Sequence, residues 1–150
     1  MDIRVQTADF DVGAELAALR AGNPAIGAVA MFVGLVRDVN ESATVGGMTL
    51  EHYPGMTEKS LGDIVTLARQ RWSLQAVRVV HRVGALLPLD QIVFVGVASA
   101  HRGEAFAACE FIMDFLKTRA PFWKLEQTAE GPRWVDARDT DNQAADRWAE

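Results

Sequence analysis

Two lysines lie close together near one predicted helix-to-strand turn, and they are the best candidates for chemistry in this chain. The stretch from His101 to Glu126 reads HRGEAFAACEFIMDFLKTRAPFWKLE. The chain has twelve Arg but only three Lys, and two of those lysines, Lys117 and Lys124, lie in one eight-residue window. A partly desolvated lysine titrates more easily than a free one, whereas arginine stays charged. The pattern therefore indicates ammonium groups that take part in chemistry.

The elements on either side of the turn are predicted to position these lysines. Pro121 ends a helix, because the residue before a proline is pushed out of the helical region. Lys117 falls at the edge of the apolar arc of that helix, with its stem against the core. The arc comprises Ala105, Phe106, Cys109, Ile112, Met113 and Leu116.

The segment after the turn, Phe122 to Gln127, has the alternation of a strand. Trp123 and Leu125 share one face, and Lys124 and Glu126 share the other. We expect Trp123 and Leu125 to point into the core. Lys124 and Glu126 would then project from the opposite face, so that two lysines and a carboxylate gather at one turn.

Two further groups of cations follow predicted central strands. The strand Gln91 to Ser99 leads directly to His101 and Arg102 at a helix start, an arrangement suited to anions. The alternative is that Ser99 or His101 simply caps the helix. Arg37 follows a second apolar strand, from Ala25 to Val36, and is either a ligand for an anion or a solvated charge at a strand end.

The remaining pattern predicts an α+β fold with a mixed, largely antiparallel sheet and three main helices in the order βαββαββαββ. The segment from 38 to 47 is predicted to be a polar loop, and GALLPLD to be a connection between strands. We expect residues 1–135 to form a single catalytic domain. Residues 136–150, with five acids and two arginines, form a polar acidic tail that either frays or folds onto a partner.

Composition narrows the class of protein. An apolar fraction of 49% and a charged fraction of 23% are those of a globular domain. No apolar run reaches the roughly 18 residues that cross a bilayer, and the start of the chain lacks a signal sequence, so we expect a cytoplasmic protein without membrane contact. The net charge of −5 argues against nucleic-acid binding but leaves an anionic substrate open, because the acidic tail can mask a basic pocket.

The cysteine and histidine content predicts no metal site and no other cofactor. Cys109 is the one cysteine and falls on the apolar arc, where it is expected to pack instead of acting as a nucleophile. His52 and His81 are each predicted on a strand, as paired or half-buried residues. The three histidines show no paired spacing typical of a metal centre.

Three segments, LEHYPGMTEKS, IVFVGVASAHRGEAF and FIMDFLKTRAPFWKLE, strongly resemble the catalytic (large) subunit of molybdopterin synthase. The resemblance implies an α/β-hammerhead fold, a homodimer and a heterotetramer with two ubiquitin-like small subunits. It implies transfer of two sulfurs from the thiocarboxylated C-terminus of the small subunit to cyclic pyranopterin monophosphate, which gives the dithiolene of molybdopterin.

The resemblance also assigns roles to residues. It implies that Lys117 and Lys124 are catalytic and bind substrate. It implies that the substrate pocket is completed by Leu35, Val36, Arg37, His101, Arg102, Leu125 and Glu126. Two alternatives stay open: a non-catalytic module that binds a ubiquitin-like tail, and a phosphate-ester hydrolase, which is disfavoured because no nucleophile with an adjacent base is visible.

Overall fold

The computed structural model describes residues 2–40, 43–135 and 139–149, and the predicted α+β class is confirmed. Among these residues there are four helices: α1 Val12–Leu19, α2 Met56–Arg71, α3 Arg102–Arg119 and α4 Asp139–Asp146. The strands are β1 Asp2–Gln6, β2 Ala28–Leu35, β3 Val39–Asn40, β4 Ala43–His52, β5 Ala76–Arg82, β6 Gly84–Leu86, β7 Gln91–Ser99, β8 Phe122–Thr128 and β9 Gly131–Val135.

The first sheet has the strand order β1-β5-β7-β2 and is antiparallel except for the β1–β5 pair. Its central strand β7 is buried from Val93 to Ser99, as its continuous apolar sequence predicts. Helices α2 and α3 cover one face through a core that includes Leu61, Val95 and Ile112. Helix α1 covers the other face.

The second sheet has the order β3-β4-β8-β9, and β6 also pairs with β4. It meets the first sheet through a small apolar core of Val36, Met48, Leu50, Val83 and Leu86. Phe122, the first residue of β8, packs against both this core and the one beneath α3. The start of β8 is therefore held where the two sheets and α3 meet.

Helix α3 ends where it was predicted to end, but its buried face is wider than predicted. α3 ends at Arg119, before Pro121, and Lys117 lies in its last turn. Phe106, which was assigned to the buried arc, is 66% exposed, so that assignment was wrong. Ala108, Phe111 and Phe115 are buried in addition, because α4 and α2 also pack against α3.

Three segments differ from the sequence prediction. The segment predicted as a loop from 38 to 47 contains β3 and the start of β4, which pair with each other, while residues 41 and 42 lie outside the described residues. Three residues of GALLPLD form β6 instead of a connection. The C-terminal segment contains α4, whose Ala145 packs in the core with α3 of its own chain, and the next two residues, Arg147 and Trp148, both donate to Asp114 on α3.

None of the helices in the described parts of the chain is long and apolar enough to cross a membrane.

Candidate active site

Lys124 and Glu126 lie on the inward face of β8. In the β4–β8 ladder Lys124 is opposite Leu50 and Glu126 is opposite Met48, and both partners are buried. Residues directly opposite each other in a ladder share a face of the sheet. Lys124 is accordingly half-buried and Glu126 is only 6% exposed.

The strand alternation was therefore predicted correctly but its direction was wrong. Trp123, which was expected to point into the core, is 47% exposed and lies opposite the exposed Glu51. Leu125 is half-buried. The reason is that a lysine can bury its aliphatic stem and a paired carboxylate can be buried, so residue type alone does not identify the inner face.

Arg133 on β9 pairs with the buried carboxylate of Glu126. Its Nε and Nη2 donate to Glu126 Oε1 at 3.2 and 3.1 Å, and the two residues are opposite each other in the β8–β9 ladder. A buried carboxylate needs such a partner to stay charged. Arg133 was not predicted as a site residue from the sequence, because the turn between β8 and β9 that brings it next to Glu126 was not identified.

His81 on β5 lies near the turn between the two lysines, a position that was not predicted from the sequence. Its ring stacks on Phe122 with the ring centroids 3.7 Å apart and the planes at 16°. His81 Nδ1 lies 2.8 Å from the carbonyl oxygen of Arg82, and because a carbonyl can only accept, Nδ1 carries the proton. Only 5% of His81 is exposed.

Burial is the main cause that lowers the pKa of His81 to about 3, and the positive charges of Lys117, Lys124 and His52 lower it further, against the opposing effect of the Arg82 hydrogen bond. The imidazole is thus neutral at physiological pH. Lys124 is two residues from Phe122 on β8, and Lys117 lies in the last turn of α3, just before the turn that leads to β8. The structure brings Lys117, Lys124 and Glu126 to one region, as predicted.

The connection between the two lysines is fixed from α2. Thr57, which is fully buried, donates from Oγ1 to the carbonyl oxygen of Pro121 at 3.3 Å and accepts from the Tyr53 N–H at 3.0 Å. The Phe122 N–H donates to the Ala120 carbonyl oxygen at 2.9 Å. The turn that joins α3 to β8 is therefore held by a hydrogen bond within its own backbone and by one from α2.

Arg37 lies at the same end of the first sheet as the lysines. Leu35 pairs with Gln91 at the start of β7, after a register shift at Gly34, and α3 runs back along the sheet from the other end of β7. Val36 is buried and donates to the Asp90 carbonyl oxygen at 3.0 Å, so the backbone before Arg37 is fixed. The Arg37 side chain itself is exposed.

His101 and Arg102 lie at the opposite end of α3. Fifteen residues separate Arg102 from Lys117, which is about 22 Å along a helix axis. Within one chain the structure therefore does not bring His101 and Arg102 together with the lysines. Both side chains are exposed and line a cavity of about 490 Å³ beside Gly27 and Ala28.

Neither Ser99 nor His101 caps helix α3 with its side chain. His101 occupies the N-cap position of α3 but its side chain makes no capping hydrogen bond. Ser99 Oγ lies 2.9 Å from the Ser73 carbonyl oxygen and 3.0 Å from Glu104 Oε2, so it is also occupied elsewhere. The imidazole of His101 and the guanidinium of Arg102 are left facing solvent at a helix N-terminus, where an anion is favoured.

Cys109 is a packing residue, as predicted. It is buried, its Sγ lies 3.7 Å from the Val95 carbonyl oxygen, and burial raises the pKa of its thiol to about 12. A thiol with that pKa is a poor nucleophile. Across the described ranges, no group of three or more His, Cys, Asp or Glu residues could hold a metal ion.

The fold and the site together define an α+β protein with one lysine on either side of a hydrogen-bonded turn and a separate His-Arg pair at the other end of the long helix α3. Residues 5–119 match the family model described as MoaE protein. A molybdopterin synthase catalytic subunit of Ralstonia nicotianae is 69% identical over 146 residues, which is 97% of this chain and 83% of that protein. The chain belongs to the MoaE family.

Two further relatives extend the similarity beyond the residues that the family model matches. The molybdopterin synthase catalytic subunit of Pseudomonas aeruginosa is 63% identical over 150 residues and is covered completely, as is this chain. The solved structure of the molybdopterin biosynthesis MoaE protein of Burkholderia ambifaria has a TM-score of 0.85 at 61% identity, covering 99% of this chain and 98% of that one. Both cover β8, with Lys124 and Glu126, which follows the family-model match.

Proposed function

We propose that this chain is a sulfurtransferase, the large subunit of a molybdopterin synthase. It transfers sulfur from the thiocarboxylated C-terminus of a ubiquitin-like small subunit to cyclic pyranopterin monophosphate. Two sulfurs are delivered to each pterin to make the dithiolene, and each donor tail is left as a carboxylate. The main support for the proposal is that a chain of this family has two lysines, one on either side of the hydrogen-bonded turn between α3 and β8.

The lysines suit this chemistry because both reactants are anionic. An ammonium group that is fixed and partly dry stabilises negative charge that develops during acyl transfer, at no cost of reorganisation. Lys117 and Lys124 are assigned this catalytic role at the donor tail, and both also bind substrate. Glu126, held by Arg133, and the backbone of Leu125 line the same pocket from β8.

The pterin phosphate is assigned to Arg37, His101 and Arg102, with the backbone of Leu35 and Val36 alongside. Guanidinium groups bind phosphate through paired charge-assisted hydrogen bonds. The separation of about 22 Å between Arg102 and Lys117 along α3 means that one chain alone cannot complete such a pocket. We therefore assign His101 and Arg102 of a second copy to the lysine site of the first, which requires the homodimer.

The assembly follows from these assignments. The names of the relatives call them catalytic subunits, which implies at least one other subunit. The proposed complex is a heterotetramer of two large subunits with two ubiquitin-like small subunits, located in the cytoplasm. Residues 1–135 carry the catalysis, and no part in it is assigned to residues 136–150.

The test is sulfur incorporation into cyclic pyranopterin monophosphate by the purified protein with thiocarboxylated small subunit. The proposal predicts that dithiolene product forms only when both proteins are present and that the product takes up two sulfurs. A small subunit that binds tightly while no sulfur reaches the pterin would instead support a non-catalytic module. Release of phosphate without sulfur would support a hydrolase.

A further inference from the structure

His81 is a buried polar residue beside the two lysines to which the proposed reaction gives no role. It lies on β5, where strand alternation puts it on the same face as Val77 and Val79, beneath α2 and α3. Those two positions hold apolar residues that pack in the core. A histidine that is as buried as they are needs another explanation.

The ring of His81 supports the first residue of β8. It stacks on Phe122, and Phe122 is in register with His52 on β4. Lys124 is two residues further along the same face of β8. Any movement of Phe122 is therefore passed directly to the strand that carries Lys124, and to the turn that leads back to Lys117.

The charge state of His81 fits this position. The charged or titratable groups near it are Lys117 on α3, Lys124 on β8 and His52 on β4, and its own hydrogen-bond partner is the Arg82 carbonyl. With the proton on Nδ1, the other ring nitrogen, Nε2, is an acceptor and the ring carries no charge. A protonated imidazole in the same place would add a third positive charge beside two lysines and repel them.

We propose that His81 is a positioning residue for sulfur transfer: its ring, stacked on Phe122, fixes the start of β8 and so the placement of Lys124 relative to Lys117. The inference rests on the proposed function. His81 acts through Phe122 and is not a catalytic residue. Misplacement of a reacting group by about 1 Å can cost on the order of a hundredfold in rate, so such a role is measurable.

The experiment compares three variants in the complete complex with thiocarboxylated small subunit and pterin. His81→Ala removes the ring, His81→Phe keeps a flat uncharged ring, and Val77→Ala is the matched control on the same strand and the same buried face. The rate of a single sulfur transfer is measured with both substrates saturating, and the urea concentration at half unfolding is measured for each variant.

The proposal predicts that His81→Ala slows transfer at least tenfold and that His81→Phe restores the rate to within about fivefold of wild type. Val77→Ala should lose stability through its cavity but keep the wild-type rate. Wild-type transfer by His81→Ala, an equal loss of rate in Val77→Ala, or no rescue by His81→Phe would overturn the inference.

A further variant decides the question if His81→Ala fails to fold. Phe122→Leu keeps an apolar side chain of similar size but removes the stacked pair, and it should slow transfer about as much as His81→Ala would. A folded Phe122→Leu protein with the wild-type rate would contradict the role of the stack. If the wild-type complex itself transfers no sulfur, it is the proposed function that fails.

Discussion

The two ends of α3 are built differently. At the C-terminal end, Lys117 lies in the last turn and the chain returns through a turn fastened by Thr57 to the half-buried Lys124. At the N-terminal end, His101 and Arg102 are exposed beside an open cavity. The first end has its cations fixed by the fold of one chain, and the second presents its cations outward.

The two ends of α3 are therefore suited to two different roles. Groups that stabilise charge during a reaction must be held in place before the reaction begins, and the lysine end of α3 meets this condition. Groups that bind a phosphate from solution or from across an interface must be accessible, and His101 and Arg102 are. The comparison predicts that substitutions at the lysine end reduce the rate of transfer or the binding of the donor tail, whereas substitutions at the other end reduce affinity for the pterin.

The largest effect is expected for Lys117→Ala. Sulfur transfer should fall by roughly a hundredfold to a thousandfold, the loss that follows removal of one fixed group that stabilises the transition state. Stability should change little, because much of the lysine stem lies at the edge of the core. Lys59→Ala, on the exposed face of α2, is the control in the same transfer and unfolding assays. A Lys117→Ala protein with normal turnover would remove the distinction between the two ends.

A smaller effect, and one on affinity, is expected for Arg102→Ala. Loss of one charge-assisted contact with the phosphate should weaken pterin binding by about tenfold to a hundredfold. Titration calorimetry of the dimer with pterin measures this directly. An unchanged dissociation constant would make Arg102 a charge at a helix start with no part in the site.

The effect of replacing Lys124 on tail binding should depend on the charge of the new side chain. Lys124→Glu should weaken binding of the small-subunit tail more than Lys124→Ala, because it puts a like charge beside the incoming carboxylate and beside Glu126. Tail-peptide affinity is compared at two salt concentrations, since a half-buried contact is screened less than a surface one. Lys59→Glu is the control, and equal effects at Lys59 and Lys124 would mean that the tail binds elsewhere.

A separate effect, on stability and not on the reaction, is expected at acidic pH. The pKa of His81 is lowered to about 3 in the fold, so between pH 6.5 and 3 the unfolded chain binds a proton that the folded chain does not. Above pH 6.5 the neutral imidazole of His81 costs no stability. As the pH is lowered from there, this residue reduces the free energy of unfolding by at most about 1.4 kcal/mol per pH unit.

His81→Phe removes this contribution. Urea unfolding between pH 7 and pH 4 should therefore show a weaker pH dependence for the variant than for the wild type. The carboxylates of Asp9 and Glu15, whose pKa values are also lowered, contribute equally to both proteins. Identical slopes would mean that His81 is protonated in the fold.

The positions of helices and strands were predicted better from the sequence than the contacts of individual side chains. β7 and the ends of α3 follow from a continuous apolar run and from Pro121, both of which are local signals. The pairings of Glu126 with Arg133 and of His81 with Phe122 join different strands. Such contacts depend on strand order and register, which short-range patterns do not determine.

The same limit explains the error at β8. The alternation of Trp123 and Lys124 was visible, but which face of β8 points inward depends on the core formed by Met48 and Leu50 of β4 and by Val36, which follows β2. The resemblance to a family supplied the candidate site as a set of residues. It could not supply the fact that His101 and Arg102 lie far from the lysines within one chain.

The most direct test of the composite site is to mix two impaired chains and to measure sulfur transfer at a pterin concentration well below the wild-type dissociation constant, where the loss of affinity in Arg102→Ala also lowers the rate. A dimer of one Lys117→Ala chain and one Arg102→Ala chain has one lysine site in which neither residue is changed, if Arg102 is contributed by the other copy. Equal mixing after dissociation and reassociation should then restore about a quarter of wild-type sulfur transfer, because half of the dimers are mixed and each has one intact site. Activity no greater than that of the two unmixed variants would contradict a site shared between copies.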